Sequence, residues 1–272
     1  LTMVFLDTDA AYAAVKSGDV DMASINGDLA KEEVKGTKIL DIPSIETYGV
    51  EFPMVKNTGE KTDSGYEIGN DVTSDEAIRK DLNTAVDRQK IVDGVLNGYG
   101  TVSTTGLEQM PWENKDAELS KDEYANVDEA KKILADGGWK DSDNDGIVEK
   151  DGQKAEFKLL YTEGNYRQEM ALEFVNVAKE IGISVNLEVR TWDTILDDIH
   201  KEAVLFGFGS GDPSELYNLY YGPIAGGTVA WDNAGCYDNK NVNKDIDKAL
   251  DATDEKEALP YWKDLQKYTS AK

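Results

Sequence analysis

Apolar and polar positions follow two different periods in the second half of the chain, and their order predicts an α/β fold. Residues 155–164 and 183–191 alternate residue by residue, which is typical of strands. The segment between them, 166–182, repeats apolar residues at the helical period and ends at Gly182. A strand, a helix and a second strand in this order imply a right-handed crossover within a parallel or mixed sheet.

The rest of the chain continues the same alternation of helices and strands. Helical periodicity predicts helices in four further segments: 10–17, 74–98 (one kinked helix or two, capped by Ser74), 126–136 and 192–202. Strand-like patterns predict extended structure in four segments: 1–7, 20–25, 37–55 and 203–208. The chain therefore predicts a sheet with flanking helices, which is α/β architecture.

Composition indicates a folded protein whose partners are not nucleic acids. Hydrophobic residues make up 40% of the chain and five are Trp, which is enough apolar surface for a packed core. The 54 acidic and 29 basic residues give a formal charge of -25, which repels phosphate backbones and anionic lipids. The acidic residues are spread along the chain, so we interpret most of them as a solvated surface.

The single cysteine and single histidine argue against several kinds of chemistry. Cys236 alone allows neither an internal disulfide nor a thiolate zinc cluster. His200 lies in a predicted amphipathic helix, where we expect a surface side chain and not a metal ligand. No nucleophile motif surrounds either residue, and "GFGSG" lacks the lysine of a phosphate loop, so an enzyme is not expected.

Three segments of the chain carry motifs that occur together in one known family. The first is "SDEAIRKDLNTAVDRQKIVDGVLNGYG". The second runs from "DGGWKDSDNDG" through a helix ending in "KEIGI" to "RTWDTI", and the third is "FGSGDPSELYNLYYG". Together they extend from about residue 40 to about 240, and their shared order is more specific than any one motif. In this order, the three segments resemble family 5 solute-binding proteins, the extracytoplasmic receptors of peptide and nickel ABC transporters. The first segment matches the family at Ala77, Ile78, Arg79, Lys80, Ala85, Asp87, Arg88 and Gly98.

The resemblance implies a type II periplasmic-binding-protein-like fold of the large peptide-binding class, with a mixed sheet and flanking helices. Receptors of this family have two lobes and are considerably longer, so we expect this chain to be part of a longer protein. We predict a lobe-one or hinge-proximal segment in 1–50, the lobe-two domain in 51–225, and a C-terminal helical segment in 226–272 that returns toward lobe one.

The function implied by the resemblance is substrate binding for an ABC importer, without enzymatic activity or a required cofactor. Such a receptor captures a short peptide or similar small solute outside the cell and passes it to the permease. We expect a monomer at full length, either periplasmic or anchored as a cell-surface lipoprotein. Two alternatives stay open. One is a cell-surface adhesion or interaction module stabilised by a structural calcium ion, and the other is a nickel-chelate receptor of the same family.

The candidate ligand-binding residues follow the predicted strand 203–208. The resemblance implies that the aspartate of the Asp-Pro segment contacts the ligand amine, a role carried here by Asp212, although an Asp before a Pro is also a common helix cap. Gly211 and Ser210 belong to the same glycine-rich loop. Aromatic side chains occur in the walls of ligand pockets and also in hydrophobic cores. Either role is therefore open for three further candidates: Phe208, Trp192 and Tyr217.

The stretch "DSDNDGIVEK" resembles the first half of a calcium loop. Asp141, Asp143 and Asp145 alternate before a glycine, and Ile147 stands where such a loop offers a carbonyl oxygen. The twelfth position is Gly152 instead of the bidentate glutamate, and a strand follows instead of a helix. A structural calcium ion and an aspartate-rich turn without metal both remain compatible with this pattern.

Overall fold

The structure is a computed structural model that describes residues 1–32, 34–108, 110–164 and 166–270. The chain divides into two compact units. One comprises Leu1–Ser44 with Gln89–Val102, and the other comprises Ile45–Arg88 with Ser103–Lys272. The larger unit contains every strand of the described residues.

A four-stranded mixed sheet organises the larger unit. Its strands follow the order β1-β6-β4-β5, in which β4 pairs in parallel with both β5 and β6, and β1 pairs antiparallel with β6. A separate hairpin is formed by β2 and β3. The strands are β1 (Thr47–Glu51), β2 (Glu149–Lys150), β3 (Gln153–Lys154), β4 (Glu156–Tyr161), β5 (Ser184–Val189) and β6 (Ala203–Phe208).

Ten α-helices occur in the described residues. They are α1 (Thr8–Ser17), α2 (Gly27–Ala30), α3 (Glu76–Ala85), α4 (Arg88–Gly94), α5 (Val127–Asp136), α6 (Arg167–Glu180), α7 (Trp192–Ile195), α8 (Glu215–Tyr220), α9 (Lys240–Asp251) and α10 (Glu255–Thr269). Side-chain caps recur at their N-termini; the carboxylate of Asp75, for example, accepts the N–H of Ala77 at 2.9 Å. Among the described residues, no helix is both long and apolar enough to cross a membrane.

The core of the larger unit has two parts. Under the sheet, Leu160 and Val204 of neighbouring parallel strands pack with Ile195 and Ile199. The strand β4 buries alternate residues at its start and three consecutive residues at its end, as expected for a strand covered on both faces. A second cluster joins α8, α9 and α10 through Leu216, Val242, Ile246, Trp262 and Leu265. The carboxyl ends of the parallel strands are therefore held on a packed support.

The smaller unit consists mainly of short helices and extended segments. The helix α1 begins at the cap Asp7 and ends at Gly18, whose φ of 82° is left-handed. The Tyr12 side chain is buried and donates a hydrogen bond to the Glu32 carboxylate at 2.7 Å. Several large apolar side chains of this unit are exposed, among them Leu1, Met3, Val4, Phe5 and Met22.

Four predictions about local structure were wrong or incomplete. Residues 1–7 and 20–25 form no strands, because apolar alternation stabilises a strand only beside a hydrogen-bonded neighbour, and none is present there. The segment 74–98 forms two helices, one of the two alternatives left open for it, but the cap predicted at Ser74 is wrong, because Asp75 caps α3. The helix predicted for 192–202 ends at Ile195 and continues as turns.

Candidate functional site

The carboxyl ends of three parallel strands meet at one edge of the sheet. The strands β4, β5 and β6 point the same way, and each leads directly into a loop and a helix. The first residue of the antiparallel strand β1, Thr47, pairs with Phe208 at the end of β6 and so lies at the same edge. In open α/β sheets, ligands bind in the crevice outside the carboxyl ends of the strands. This edge is the candidate site.

The loop after β6 approaches its neighbours closely. A side chain at Gly209 would collide with the backbone carbonyl of Ile45, so glycine is required for this approach. The carboxylate of Glu215, at the start of α8, accepts hydrogen bonds from the N–H groups of Gly209 and Ser210. Burial raises the pKa of this carboxyl group, and those two hydrogen bonds lower it. Glu215 therefore anchors the glycine loop.

Asp212 is exposed at the tip of this loop, and its carboxylate closes a turn just before α8. Its Oδ1 accepts the backbone N–H of Ser214 at 2.8 Å, and its own N–H donates to Oγ of Ser210 at 3.1 Å. Hydrogen bonding from Ser214 lowers the pKa of Asp212, so the carboxylate is ionised at neutral pH. The helix expected to begin at Pro213 begins at Glu215, and its cap position is Ser214, so Asp212 stabilises the turn before α8 instead of capping it. Its carboxylate is oriented by this turn and remains accessible. Its predicted contact with a ligand amine stays a prediction.

An aromatic chain of four rings joins β6 to the start of α7. The ring of Phe208 lies 5.7 Å from that of Phe206, which lies 6.2 Å from the ring of Trp231. The Trp231 ring in turn meets Trp192 edge to face at 5.5 Å between centroids. The predicted candidates Phe208 and Trp192 therefore belong to one aromatic surface, and Phe206 and Trp231 are members that sequence reasoning missed.

Arg167 is a further site residue that the sequence did not single out. It is the first residue of α6, directly after β4, and its side chain is only 7% exposed. Its guanidinium carbon lies 5.3 Å from the centre of the Tyr48 ring and 5.2 Å from that of Trp192. The signal that would have found it is its position, because a helix that starts at the carboxyl edge of a sheet faces the ligand crevice.

Tyr217 lies away from this aromatic surface. Its ring stacks on Tyr221 at 4.9 Å, and both rings pack against the helical core that contains Leu216 and Trp262. Of the predicted candidates, the structure thus places Phe208, Trp192 and the loop of Asp212 at the strand ends, whereas Tyr217 supports the packing of α8.

The aspartate-rich loop precedes the β2–β3 hairpin and is internally hydrogen-bonded. Asp141 accepts the N–H of Gly146 at 3.1 Å, Asp143 accepts that of Asp145 at 3.1 Å, and Asp145 accepts that of Ile147 at 2.9 Å. These are aspartate turns of the kind that needs no ion. The predicted role of the Ile147 carbonyl as a calcium ligand stays a prediction.

Carboxylates in this loop converge in a different combination from the predicted one. Asp141, Asp143 and Glu149 each offer an oxygen, and these atoms lie within 4.8 Å of one another. Asp145 instead pairs with the ammonium group of Lys154, which also lies 3.1 Å from Asp143. The hydrogen bond to Asp145, and after it the one to Asp143, raises the pKa of Lys154. The positive charge of this lysine therefore already neutralises part of the loop.

His200 and Cys236 are both buried, which corrects the expectation of a surface histidine. The His200 side chain is 1% exposed, and its Nδ1 lies 3.0 Å from the carbonyl oxygen of Ala234. Burial lowers the pKa of His200 and raises that of Cys236 to about 11, so both are neutral at pH 7. A neutral buried thiol is a poor nucleophile, and this pair gives no support to covalent catalysis.

Comparison with known sequences identifies a family. Residues 1–227 match the profile described as bacterial extracellular solute-binding proteins, family 5. Protein XP55 of Streptomyces lividans is 33% identical over 270 residues, covering 97% of this chain and 46% of XP55. The oligopeptide-binding protein AppA of Bacillus subtilis is 28% identical over 225 residues, covering 80% of this chain and 39% of AppA. The chain spans less than half the length of these relatives.

Solved structures share the fold. AppA of Bacillus subtilis in complex with a nonapeptide superposes with a TM-score of 0.77 at 25% identity, covering 97% of this chain and 51% of AppA. NikZ of Campylobacter jejuni in complex with Ni(L-His) gives a TM-score of 0.78 at 23% identity, again covering 97% and 51%. The predicted type II periplasmic-binding-protein fold is thereby confirmed. The chain belongs to the bacterial extracellular solute-binding proteins of family 5.

Proposed function

We propose that this chain is lobe two of the substrate-binding component of an ABC importer, which captures a short peptide or a similar small solute and delivers it to the permease. The observation that carries the proposal is the similarity to AppA, an oligopeptide-binding protein, in both sequence and structure. The family consists of extracellular solute-binding proteins, so we propose a binding role without catalysis.

The candidate site has the groups that a peptide receptor needs. The ionised, exposed carboxylate of Asp212 can anchor a peptide ammonium group without reading side chains. The loop through Gly211 presents backbone groups close to the strand ends, where an extended peptide can hydrogen-bond. The aromatic surface of Trp192 and Phe208 supplies apolar contact area beside them.

The complete receptor would have two lobes that close around the solute. We propose that 1–50 and 226–272 connect to the other lobe, and that 51–225 forms lobe two. Affinity then depends on contacts from both lobes. We further propose that the complete protein is monomeric and extracytoplasmic, either periplasmic or lipid-anchored.

Titration calorimetry on the full-length protein tests the proposal. Short peptides of mixed sequence are compared with Ni(L-His) and with a neutral oligosaccharide. Binding of peptides with a Kd of about 1 μM or tighter supports a peptide receptor. Binding of the chelate alone would transfer the proposal to the nickel branch of the family, and no binding of any solute would overturn it.

The two alternatives have weaker support. The similarity to NikZ is at 23% identity, which shows the fold alone, and the single histidine is buried away from the strand ends. A nickel chelate would therefore need other groups than imidazole from the described residues. Neither the matched family nor the relatives support a calcium-clipped adhesion module.

A further inference from the structure

Residues 229–237 form a strap that runs from the aromatic surface to the end of β1. Trp231 lies on this strap, and its side chain is 37% exposed at the aromatic surface. Gly235 is buried; its N–H donates to Oε1 of Glu51 at 2.9 Å, and its carbonyl oxygen accepts the N–H of Met54 at 2.8 Å. In this closed arrangement, the strap is hydrogen-bonded to the last residue of β1 and to the chain just beyond it.

The closed strap carries backbone strain. Asn233 and Cys236 have φ angles of 44° and 54°, in the left-handed region that residues other than glycine adopt only rarely. A side chain at Gly235 would lie 2.8 Å from the carbonyl oxygen of Phe52, so only glycine fits there. Strain of this kind occurs most often in ligand-binding and switch segments. The contacts at the two ends of the strap therefore have to offset the strain of closing it.

Glu51 holds the strap without a cationic partner among the described residues. Burial raises the pKa of Glu51 to about 7, although the hydrogen bond from Gly235 opposes this change. The ordinary pKa of a glutamate is 4.5, so in water the same group is ionised at neutral pH. A carboxyl group that binds a proton more tightly in the closed strap makes closing and proton binding favour each other.

The nearest titratable neighbours of Glu51 are neutral at pH 7. Burial, and after it the charge of Glu51, raises the pKa of Tyr220 on α8 and that of Cys236 on the strap, the latter to about 11. His200 lies 3.0 Å from the carbonyl oxygen of Ala234 on the strap, and burial lowers its pKa. None of these three groups supplies a charge that would compensate an ionised Glu51.

Two charged groups lie behind these neighbours. Tyr237, whose pKa is raised by burial, faces Arg79 on α3, and this guanidinium group stays charged at all relevant pH values. Glu215 faces Tyr220 from the start of α8, and burial raises its pKa as well. The carboxylate of Glu215 accepts N–H groups of the glycine loop, not of the strap. Glu51 is therefore the carboxyl group whose protonation accompanies closing of the strap.

From this geometry we propose that Glu51 is a positioning residue for Trp231: a solute that contacts Trp231 holds the strap closed on Glu51, and closing takes up one proton from solvent. The proton binds the carboxylate oxygen that does not accept the N–H of Gly235, so the covered group is neutral. At higher pH the ionised carboxylate favours water, and the strap leaves β1. The inference rests on the proposed function and gives the same site a pH-dependent affinity.

Proton counting by titration calorimetry of the full-length protein tests the inference. The probe is the pentapeptide Ala-Ala-Phe-Ala-Ala, titrated in buffers of different ionisation enthalpy. At pH 6 the peptide amine stays protonated, whereas the pKa of Glu51 changes from 4.5 to about 7 on closing. We predict uptake of about one proton per bound peptide at pH 6, and an affinity about tenfold weaker at pH 8 than at pH 6.

Variants assign the proton to Glu51. Glu51→Gln keeps an acceptor oxygen for Gly235 and is neutral at every pH, so it binds the peptide as the wild type does at pH 6 and about tenfold more tightly than the wild type at pH 8. A residue that only supports the fold would not gain affinity on substitution. Trp231→Ala takes up less of the proton, because the peptide no longer holds the strap. Glu156→Gln, at an exposed position on β4, is the matched control with the wild-type pH profile.

The outcomes separate failure of this inference from failure of the proposed function. Peptide binding by the wild type without proton uptake at pH 6 would overturn the role of Glu51 while the peptide receptor stands. This measurement needs no variant, so it decides even if Glu51→Gln does not fold. Equal affinities of Glu51→Gln and the wild type at pH 8 would also overturn the role of Glu51. If the wild type binds no peptide at either pH, both the proposed function and this inference are overturned.

Discussion

The guanidinium carbon of Arg167 lies 5.2 Å from the centre of the Trp192 ring. Arg167 begins the helix after β4, and Trp192 begins the helix after β5. The contact exists because β4 and β5 are parallel neighbours, so their carboxyl ends and the helices that follow them meet at one edge. The candidate site is therefore a consequence of the sheet topology.

Replacing Asp212 by asparagine separates its two roles. The side-chain oxygen of asparagine accepts the Ser214 N–H in the same turn, so Asp212→Asn leaves the melting temperature nearly unchanged. The same variant loses the charge that pairs with a peptide ammonium group, and peptide affinity falls on the order of tenfold. The measurement is calorimetric titration of the full-length protein.

Nα-acetylated peptides are the control for Asp212. They carry no ammonium group, so wild type and Asp212→Asn bind them equally if the carboxylate recognises the amine. An equal loss for free and acetylated peptides would contradict amine recognition, and no loss for either would leave Asp212 with only its structural role in the turn before α8.

Glu215 supports the loop that carries Asp212, because its carboxylate accepts the N–H groups of Gly209 and Ser210. Glu215→Ala leaves these donors without a partner, which costs about 1–3 kcal/mol of stability, and weakens peptide binding through loss of loop order. Glu215→Gln keeps an acceptor oxygen, so it loses less stability and less peptide affinity than Glu215→Ala. Denaturant unfolding and titration measure the two effects; Glu215→Ala with unchanged stability would contradict the anchoring role.

Asp81 is a buried carboxyl group in α3 whose oxygens have no hydrogen-bond partner among the described residues. Burial raises its pKa to about 8, far above 3.8. Such a group binds a proton more tightly in the folded state, so its contribution is fully present below pH 3.8 and is lost as the pH rises toward 8. The free energy of unfolding falls by at most about 1.4 kcal/mol per pH unit from this group.

Asp81→Asn removes this titration at nearly constant shape. We expect the variant to be more stable than the wild type at pH 8, and the difference to shrink toward pH 5. Asp136→Asn, the same change at the exposed last residue of α5, serves as the matched control. Parallel pH profiles for wild type and Asp81→Asn would contradict a buried neutral carboxyl group.

Lys154 competes with calcium for the aspartate-rich loop. Its ammonium group pairs with Asp143 and Asp145, so we expect millimolar calcium to leave the melting temperature of the wild type unchanged. Lys154→Met frees these carboxylates beside Asp141 and Glu149, and calcium then stabilises the variant by mass action. Magnesium is the matched control ion, and clear stabilisation of the wild type by calcium would contradict the competition.

The crossover from β4 to β5 was predictable from the sequence because its signals are local. Alternation in 155–164 and 183–191 and the glycine stop at Gly182 each act over a few residues. The parallel pairing of these strands confirms the prediction. The strand predicted for 20–25 does not form. Alternation of apolar and polar residues gives a segment two different faces, but it does not supply the neighbouring strand that a sheet needs.

Arg167 was missed for a different reason. Its environment is built by Tyr48 on β1 and Trp192 on α7, which are distant in the sequence and meet only through the sheet order. His200 was misplaced at the surface because helical periodicity does not reveal that the segment containing Ala234 covers it. Long-range packing of this kind leaves no pattern in a single sequence.

Native mass spectrometry of the full-length protein, purified gently from its own cells, tests the central proposal most directly. The measurement weighs the solute that co-purifies with the receptor. We predict a ladder of masses for short peptides, which denaturation releases. A protein that carries only a calcium-sized adduct, or no solute at all, would contradict the peptide-receptor proposal.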